Sequence, residues 1–164
     1  MDGKEGKLVP DAVLQELFPE DNELDEEPLI IAKCKKISRW GINQERVVIL
    51  STHHIYLLST KELRKRVPIS HLKYIIKSTV SKEVILYWDG EYDFRISFEE
   101  RDDFLSMLKL RFANFCPTKH MKVFGIDKES LKEFKSMTKR GSNAYAFDNE
   151  PPAKYRLKGE EIFT

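Results

Sequence analysis

Short apolar runs in which alternate residues are hydrophobic follow one another between residues 29 and 98. In the first run Ile30, Ala32 and Cys34 share one face of an extended chain, which is the alternation expected of a half-buried β-strand. Tight hairpins are predicted at Thr52-His53 and at Asp89-Gly90, which separate consecutive runs. The runs together predict seven strands, at residues 29–35, 46–51, 54–58, 66–69, 72–77, 83–88 and 92–98.

Helical spacing flanks this strand region on both sides. Residues 10–18 place apolar side chains at helical intervals after a proline, and so short a helix needs a surface to pack on. Beyond the last strand, Ser97 and Glu100 fit the capping-box spacing, and Asn114 and Pro117 close a longer helix. Its apolar stripe consists of Phe104, Leu105, Leu108 and Phe112. The pattern predicts a mainly β fold, a seven-stranded antiparallel barrel or sandwich capped by a C-terminal helix.

The C-terminal part of the chain carries a weaker pattern. Residues 121–124 predict a strand or an extended segment. Asp127 is placed to begin a helix that runs to about residue 139, with Leu131 and Phe134 as its apolar contacts. Residues 142–164 contain two adjacent prolines and scattered aromatic residues, which predicts an extended strap on the domain surface.

Three segments are therefore expected along the chain. They are an N-terminal helix with an acidic linker at 1–28, the β-rich domain at 29–115, and a C-terminal helix and strap at 116–164. The acidic linker, residues 19–28, is bounded by prolines, which is typical of a solvated connection. The alternative interpretation is an acidic lid that competes with anionic ligands for a basic surface.

Length, charge and cysteine content restrict the class of protein. With 164 residues, 41% of them hydrophobic, the chain has the size of one packed domain with terminal extensions. The 28 basic and 27 acidic residues leave a formal charge of +1, which argues against a polycationic nucleic-acid binder but not against a local basic patch. Cys34 and Cys116 are too few for a disulfide framework or a four-ligand zinc site. With no signal-peptide core and no transmembrane segment in the sequence, we expect a soluble intracellular protein in a reducing compartment.

The sequence carries no recognisable catalytic or metal-binding constellation, so we predict a non-enzymatic protein without a cofactor. The adjacent His53 and His54 would point to opposite faces of a strand, which does not suit shared metal ligation. Cys34 falls on the predicted apolar face and is interpreted as a buried thiol. The sequence motifs of zinc proteases, serine hydrolases, P-loop proteins and dinucleotide-binding proteins are not found.

One stretch of the chain resembles a known family. Residues 35–51, Lys-Lys-Ile-Ser-Arg-Trp-Gly-Ile-Asn-Gln-Glu-Arg-Val-Val-Ile-Leu-Ser, and residues 54–58, His-Ile-Tyr-Leu-Leu, resemble the myosin-I tail homology 1 (TH1) domain. Residues 64–70, Arg-Lys-Arg-Val-Pro-Ile-Ser, are similar to that family's basic pair followed by Ile-Pro-Leu. Seven strands and a C-terminal helix are also the plan of the pleckstrin-homology (PH) superfold. The resemblance covers about residues 29–113 and implies a PH-like adaptor or targeting module at a membrane–cytoskeleton boundary.

The resemblance also implies a lipid site, because PH-like domains that bind phosphoinositides hold the phosphates between their first two strands. Multiply charged phosphates need several charge-assisted hydrogen bonds, which Lys and Arg supply. Trp40 and Ile42 at the loop tip are expected in the headgroup zone of an anionic phospholipid surface. The candidate cations are Lys33, Lys35, Lys36, Arg39 and Arg46, with Arg64, Lys65 and Arg66 as a second basic edge.

Each candidate also has an ordinary interpretation. Lys33, Lys35 and Lys36 fit a solvated edge strand that lysines protect from aggregation, and residues 64–66 fit a solvated turn. Trp40 fits packing beneath a neighbouring loop. The rival function is a protein-interaction module of a cytoskeletal or signalling assembly, in which a peptide adds a strand between the C-terminal helix and a sheet edge. The strap is then expected either to fill that groove or to fold on a partner.

Overall fold

The computed structural model describes residues 8–38, 40–60, 62–88, 93–119 and 121–134, which form one eight-stranded sheet and two α-helices. The strands are β1 (Pro28–Ile37), β2 (Asn43–Ser51), β3 (His54–Ser59), β4 (Glu62–Pro68), β5 (Leu72–Ser78), β6 (Glu83–Trp88), β7 (Phe94–Ser97) and β8 (Val123–Ile126). The helices are α1 (Asp11–Leu17) and α2 (Arg101–Phe115), with short 3-10 helices at Ile69–His71 and Lys132–Phe134.

The strand order is β4-β3-β2-β1-β7-β6-β5-β8, so the sheet is open, with β4 and β8 at its two ends. Neighbouring strands are antiparallel except for β5 and β8, which are parallel. The two halves of the sheet join where Lys35 and Lys36 of β1 pair with β7. Seven antiparallel strands followed by a helix confirm the predicted fold class, and β8 is an additional strand.

Alternation along the strands gives the sheet an inner face that holds the principal core. On β1 and β2 the inward residues are Ala32, Cys34, Val48 and Leu50, all at most 2% exposed. The apolar stripe of α2 packs onto them, as the helical spacing predicted, and Phe112 is 4% exposed. Burying a large apolar side chain contributes about 1.5–3 kcal/mol, so this core is the main source of stability.

The outer face of β1, β2 and β3 is covered by α1. Val13, Leu14, Leu17 and Phe18 pack against a cluster that includes Tyr56, and the Phe18 and Tyr56 rings meet edge to face with centroids 5.1 Å apart. This confirms the expectation that the short helix needs a surface.

β8 extends the sheet beyond β5, and the segment that follows β8 covers the outer face of β5, β6 and β8. Leu131 and Phe134 are fully buried there against strand residues that include Tyr87. Ser78 Oγ donates a 2.6 Å hydrogen bond to the carbonyl of Lys128, and the Tyr87 hydroxyl donates to the carbonyl of Phe134. Because β8 pairs with β5, the chain itself occupies that edge of the sheet.

Two local predictions at the helix starts are wrong. Ser97 was expected to cap α2, but it is the last residue of β7. The N-cap of α2 is instead Glu100, and its side chain makes no capping hydrogen bond. No helix begins at Asp127, since the backbone that follows it is bonded to the sheet: Leu131 N donates to Glu83 Oε1. The predicted strap at 142–164 lies outside the described residues.

Candidate functional site

The loop between β1 and β2 is held in one tight shape by Ser38. The Ser38 hydroxyl accepts hydrogen bonds from the amides of Trp40 and Ile42, at 3.2 and 3.1 Å. Gly41 has a φ of 81°, a left-handed conformation that glycine adopts without strain. The loop thereby presents Trp40 and Ile42 to solvent, 75% and 58% exposed. Trp40 is exposed and does not pack beneath a neighbouring loop.

We call this end of the β1–β4 half of the sheet the mouth. The antiparallel pairing places the β3–β4 turn at the same end as the β1–β2 loop, because β1–β2 closes at Ile37↔Asn43 and β3–β4 at Ser59↔Glu62. Leu63, just after the second turn, is 40% exposed. Apolar side chains from two hairpins thus stand at the mouth.

Two of the candidate cations lie on the inner face of the sheet at the mouth. Arg46 is opposite Cys34 and Lys36 is opposite Gln44, so both follow the parity of the buried Cys34. They are diagonal neighbours across the strand pair, a relation that separates residues by about 7–8 Å. One multivalent anion at the mouth could contact both side chains.

Arg46 has an unused donor. Its Nη1 donates to the carbonyl of Glu45 at 2.8 Å, whereas its Nε is buried and finds no hydrogen-bond partner among the described residues. A buried unsatisfied donor costs about 1–3 kcal/mol, so a movement of the Arg46 side chain that brings Nε to the acceptor of a ligand would be favoured. Burial also raises the pKa of the neighbouring Cys34 thiol to about 12, although the positive charge of Arg46 acts to lower it.

Lys65 of β4, which the sequence analysis placed with Arg64 and Arg66 in a second basic edge, lies on the inner face with Lys36 and Arg46. It is opposite Leu57, whose side chain is in the core, and its Nζ lies 5.9 Å from the centroid of the Phe94 ring. β4 lies two strand spacings, about 10 Å, from β2. The alternation of Lys65 with the apolar Val67 is the sequence signal for this inward position.

The two arginines of β4 are placed differently. Arg66 is opposite Tyr56, whose side chain lies beneath α1 on the outer face. Arg64 has no opposite residue, because the register shifts between Leu57 and Leu58, and its Nε donates to Ser59 Oγ at 3.2 Å. Such an irregularity bends an edge strand and discourages pairing with another chain.

Lys33 and Lys35 point to the outer face, away from Lys36 and Arg46. Lys33 Nζ lies 3.7 Å from Glu45 Oε1, an ion pair of two exposed side chains that is worth at most about 1 kcal/mol. Both lysines line a cleft of about 520 Å³. Its lining is Lys33, Cys34, Lys35, Glu45, Lys82, Ser97, Phe98, Glu99 and Glu100, which carries equal numbers of lysines and glutamates.

The structure therefore brings together some of the predicted residues and separates others. Lys36 and Arg46 share the inner face beneath the Trp40 tip, Lys33 and Lys35 share the outer face, and Arg64 and Arg66 lie on the end strand. Arg39 lies outside the described residues. Strand parity alone divides Lys36 from Lys33 and Lys35.

The acidic linker is ordered in the structure and lies at the other end of the sheet. The Asn22 side chain braces it, accepting a 2.7 Å hydrogen bond from the Glu26 amide. The Thr52 amide in the β2–β3 turn donates to the Glu27 carbonyl at 3.0 Å. The nine residues of β2, about 30 Å of strand, separate this turn from the mouth. The interpretation of residues 19–28 as a lid over the basic loop is therefore wrong.

Glu26 fixes the linker through a cluster that we call the Glu26 clamp. Its Oε2 accepts hydrogen bonds from Ser51 Oγ at 2.5 Å and the Tyr56 hydroxyl at 2.6 Å, and lies 2.9 Å from His54 Nδ1. Burial opposes the charge, but the bonds from Ser51, Tyr56 and His54 outweigh it and hold the pKa of Glu26 below its ordinary value. Burial and the nearby carboxylate raise the pKa of Tyr56. In the sequence, Glu26 is one of several acids in the predicted acidic linker and carries no signal of this role.

The sequence analysis also did not identify two buried arginines, Arg95 and Arg101. Arg101 Nη1 donates to the carbonyls of Ser78, Ser81 and Glu83 at 2.8–2.9 Å, which ties the start of α2 to the β5–β6 turn. Arg95 forms a two-pronged ion pair with Glu83 at 3.0 and 3.2 Å. Both contacts join residues far apart in sequence, for which hydrophobic periodicity gives no signal.

Two further properties concern the described part of the chain alone. No helix in it is long and apolar enough to span a bilayer. No three His, Cys, Asp or Glu side chains in it are grouped so that they could hold a metal ion.

Comparison with known proteins gives similarity at the level of the fold. No protein-family model matches the sequence, and no curated protein matches it significantly. The hSac2 domain from human phosphoinositide phosphatase Sac2 aligns with a TM-score of 0.51 at 12% identity, covering 73% of this chain and 88% of that one. The C-terminal domain of an unknown protein from Leishmania infantum aligns with a TM-score of 0.50 at 19% identity, covering 62% and 95%.

A third solved structure is the N-terminal PH domain of human ARAP2. It aligns with a TM-score of 0.49 at 15% identity, covering 57% of this chain and 86% of that domain. Identities this low relate folds and leave function open. The strand order and the position of α2 agree with the PH-like plan, so the chain has a PH-like fold.

Proposed function

We propose that the protein is a non-enzymatic, peripheral membrane-targeting module that binds phosphoinositides or other anionic phospholipids at the mouth of the sheet. The observation that carries the proposal is the inward Arg46, with its buried, unsatisfied Nε, next to Lys36 and beneath an exposed Trp40. A phosphate oxygen supplies the acceptor that Arg46 lacks, and its charge suits both cations.

The headgroup site has an inner and an outer part. Lys36 and Arg46, with Lys65 across the mouth, contact the phosphates directly. Lys33 and Lys35 on the outer face add general attraction to an anionic surface, worth about 1 kcal/mol for each basic residue near the membrane. The cleft glutamates, Glu45, Glu99 and Glu100, reduce that attraction. The inner cations therefore give the selectivity for phosphoinositides. We extend the proposal to Arg39, Arg64 and Arg66 as further basic residues that add general attraction to the anionic surface.

Apolar side chains at the mouth provide the second half of the contact. Trp40, Ile42 and Leu63 are all at least 40% exposed and belong to two hairpins that end at the same side of the sheet. An indole ring favours the interface between headgroups and acyl chains. With the phosphates held between the strands, these side chains enter that interface.

A co-sedimentation assay with two charge-matched variants tests the proposal. Lys36→Glu/Arg46→Glu and Lys33→Glu/Lys35→Glu change the net charge equally, but on opposite faces. Vesicles of phosphatidylcholine with a few per cent phosphatidylinositol bisphosphate are compared with vesicles carrying the same charge as phosphatidylserine. The inner pair is expected to lose at least about tenfold in affinity for the phosphoinositide, the outer pair roughly threefold or less.

Folding is checked by thermal melts, and Lys36→Gln/Arg46→Gln replaces the inner pair if charge reversal unfolds the protein. Equal losses for the two pairs mean that only diffuse electrostatics is at work, which contradicts a headgroup site. Binding of the wild type no better than to phosphatidylcholine alone contradicts membrane targeting altogether.

The second candidate function is a protein-interaction module of a cytoskeletal or signalling assembly without lipid specificity. The TH1 resemblance of residues 35–58 supports a cytoskeletal setting, and with it a cytoplasmic location at a membrane or on the cytoskeleton. The β5 edge is already paired with β8, so a partner would use a different surface.

A further inference from the structure

β1 has a strand on both sides for only part of its length. β2 pairs with it from Pro28 to Ile37, whereas β7 ends at Ser97, opposite Lys35. In the described part of the chain, residues 29–34 of β1 therefore have no strand on their second side. We call the space beside these residues the β1 gap.

The backbone hydrogen bonds of β1 decide which of its groups face the β1 gap. The amide of Ser38 donates to the carbonyl of Ile42 at 3.0 Å, so the even-numbered residues from 30 to 36 exchange hydrogen bonds with β2. Ile31 and Lys33 then direct their N–H and C=O groups away from β2 and into the gap. No described residue forms a hydrogen bond with these four groups.

Open space borders the β1 gap. The cleft of about 520 Å³ lies where β7 leaves β1, and Lys33 and Ser97 both line it. α2 begins beside this cleft and ends near the β2–β3 turn, where Arg111 of α2 donates to the carbonyl of Thr52 at 2.9 Å. The gap therefore lies between the edge of β1 and α2.

The charges on the outer side of the gap favour an acidic residue. The Lys33 side chain is 68% exposed, and its ion-pair partner Glu45 lies on the β2 side. An acid in an added strand, directly opposite Lys33, makes a favourable cross-strand pair. Two copies of β1 joined edge to edge would instead bring the lysines of both copies onto one face, which opposes self-association.

We propose that the β1 gap binds an extended segment of a partner protein, which adds a short antiparallel strand between β1 and α2. The segment carries an acidic residue opposite Lys33 and an apolar residue two positions later, opposite Ile31. Its main chain bonds to the four free groups of these two residues, and such bonds provide the affinity in strand addition. An antiparallel strand here continues the course of β7, so it starts beside the cleft glutamates, where a basic residue suits. The site is separate from the mouth and does not depend on lipid binding.

An NMR titration of the labelled full chain with a synthetic peptide tests the site. The probe is acetyl-Thr-Lys-Glu-Val-Ile-Thr-Thr-amide, in which the amides of Glu and Ile bond to β1 and the amide of Val points away. We expect saturable shifts centred on Ile31, Lys33 and Ser97, and not on Lys36 and Arg46. Methylation of the Ile amide in the peptide should weaken binding at least about fivefold. Methylation of the Val amide is the matched control and should change the affinity less than about twofold.

Two receptor variants test the two kinds of contact. Lys33→Glu should weaken binding of the probe at least about threefold and should bind better a peptide with Lys in place of its Glu. Ile31→Pro removes a donor that faces the gap without breaking a bond to β2, so it should fold and lose the probe. If Ile31→Pro does not fold, the charge exchange at Lys33 decides. No saturable shifts up to about 1 mM peptide, or equal losses for the two methylated peptides, overturn the proposal.

Hydrogen exchange on the unmodified chain gives an independent measurement. The amides of Ile31 and Lys33 should exchange at least about 100-fold faster than those of Ala32 and Cys34, which bond to β2, and should slow when the peptide saturates the site. Equal protection without peptide means that another part of the chain fills the gap, and it overturns the proposal. A wild-type dimer in size-exclusion chromatography that the peptide does not dissociate also overturns it.

Discussion

Replacing Glu26 by alanine should destabilise the protein by about 2–4 kcal/mol. The Oε2 atom of Glu26 is an acceptor for the hydroxyls of Ser51 and Tyr56 and lies 2.9 Å from His54 Nδ1, and the side chain is only 9% exposed. Hydrogen bonds to a charged group contribute about 1.5–3 kcal/mol each, but bonds that share one acceptor do not add fully. In a domain of this size the loss corresponds to a decrease in Tm of roughly 5–12 °C.

Glu27→Ala is the matched control, because Glu27 is the adjacent, exposed acid. It should change the free energy of unfolding by less than about 0.5 kcal/mol in a urea titration. Equal effects of the two substitutions would show that the clamp contributes nothing. Vesicle binding by Glu26→Ala should match the wild type, because β1 separates the clamp from the mouth.

The same residue makes a pH prediction. Since its pKa is lowered in the folded state, Glu26 stabilises the protein fully above the ordinary value of 4.5. That contribution is lost as pH falls below 4.5 through the folded-state pKa. The stability difference between the wild type and Glu26→Gln should therefore be constant near neutrality and shrink at the acid end. A difference that stays constant to the lowest pH at which the protein folds contradicts the assignment.

Three further outcomes follow from the core contacts. Arg101→Met should cost about 3 kcal/mol or more in urea unfolding, because three carbonyls lose their donor; a cost under about 1 kcal/mol would mean that water replaces it. Phe134→Ala should cost about 3–5 kcal/mol and Phe115→Ala, at a ring 36% exposed, clearly less; a reversed order in thermal melts would refute the buried position of Phe134. The pKa of Cys34 is raised to about 12, so this thiol should resist iodoacetamide at pH 8 until the chain unfolds. Labelling is followed by mass spectrometry, with the partly buried Cys116 as the internal comparison. Rapid labelling of Cys34 in the native protein would contradict its burial.

The strands and α2 could be predicted from the sequence because each depends on the spacing of apolar residues within one short segment. Alternation places Ala32 and Cys34 on one face and Lys33 and Lys35 on the other, and the structure keeps that division. The same rule assigns Lys36 to the inner face, so the core of the candidate site is predictable from parity once the strand is known.

Contacts between segments that are distant in the sequence could not be predicted from such spacing. The parallel pairing of β8 with β5 joins residues about fifty positions apart, and no period in the sequence encodes it. Glu26 looks like any acid in an acidic linker until the fold brings Ser51 and Tyr56 to it. The failed helix at Asp127 has the same origin, because side chains of β5 and β6 bind the backbone that would have formed it.

The most direct test of the headgroup site is an NMR titration of the labelled protein with soluble inositol trisphosphate, which has no acyl chains and so isolates the phosphate contacts. The account predicts saturable shifts concentrated at the amides of Lys36 and Arg46 and in the loop that carries Trp40, and their loss in Lys36→Glu/Arg46→Glu. Shifts centred instead on the cleft around Lys82 and Ser97, or no saturable shifts at all, would contradict it.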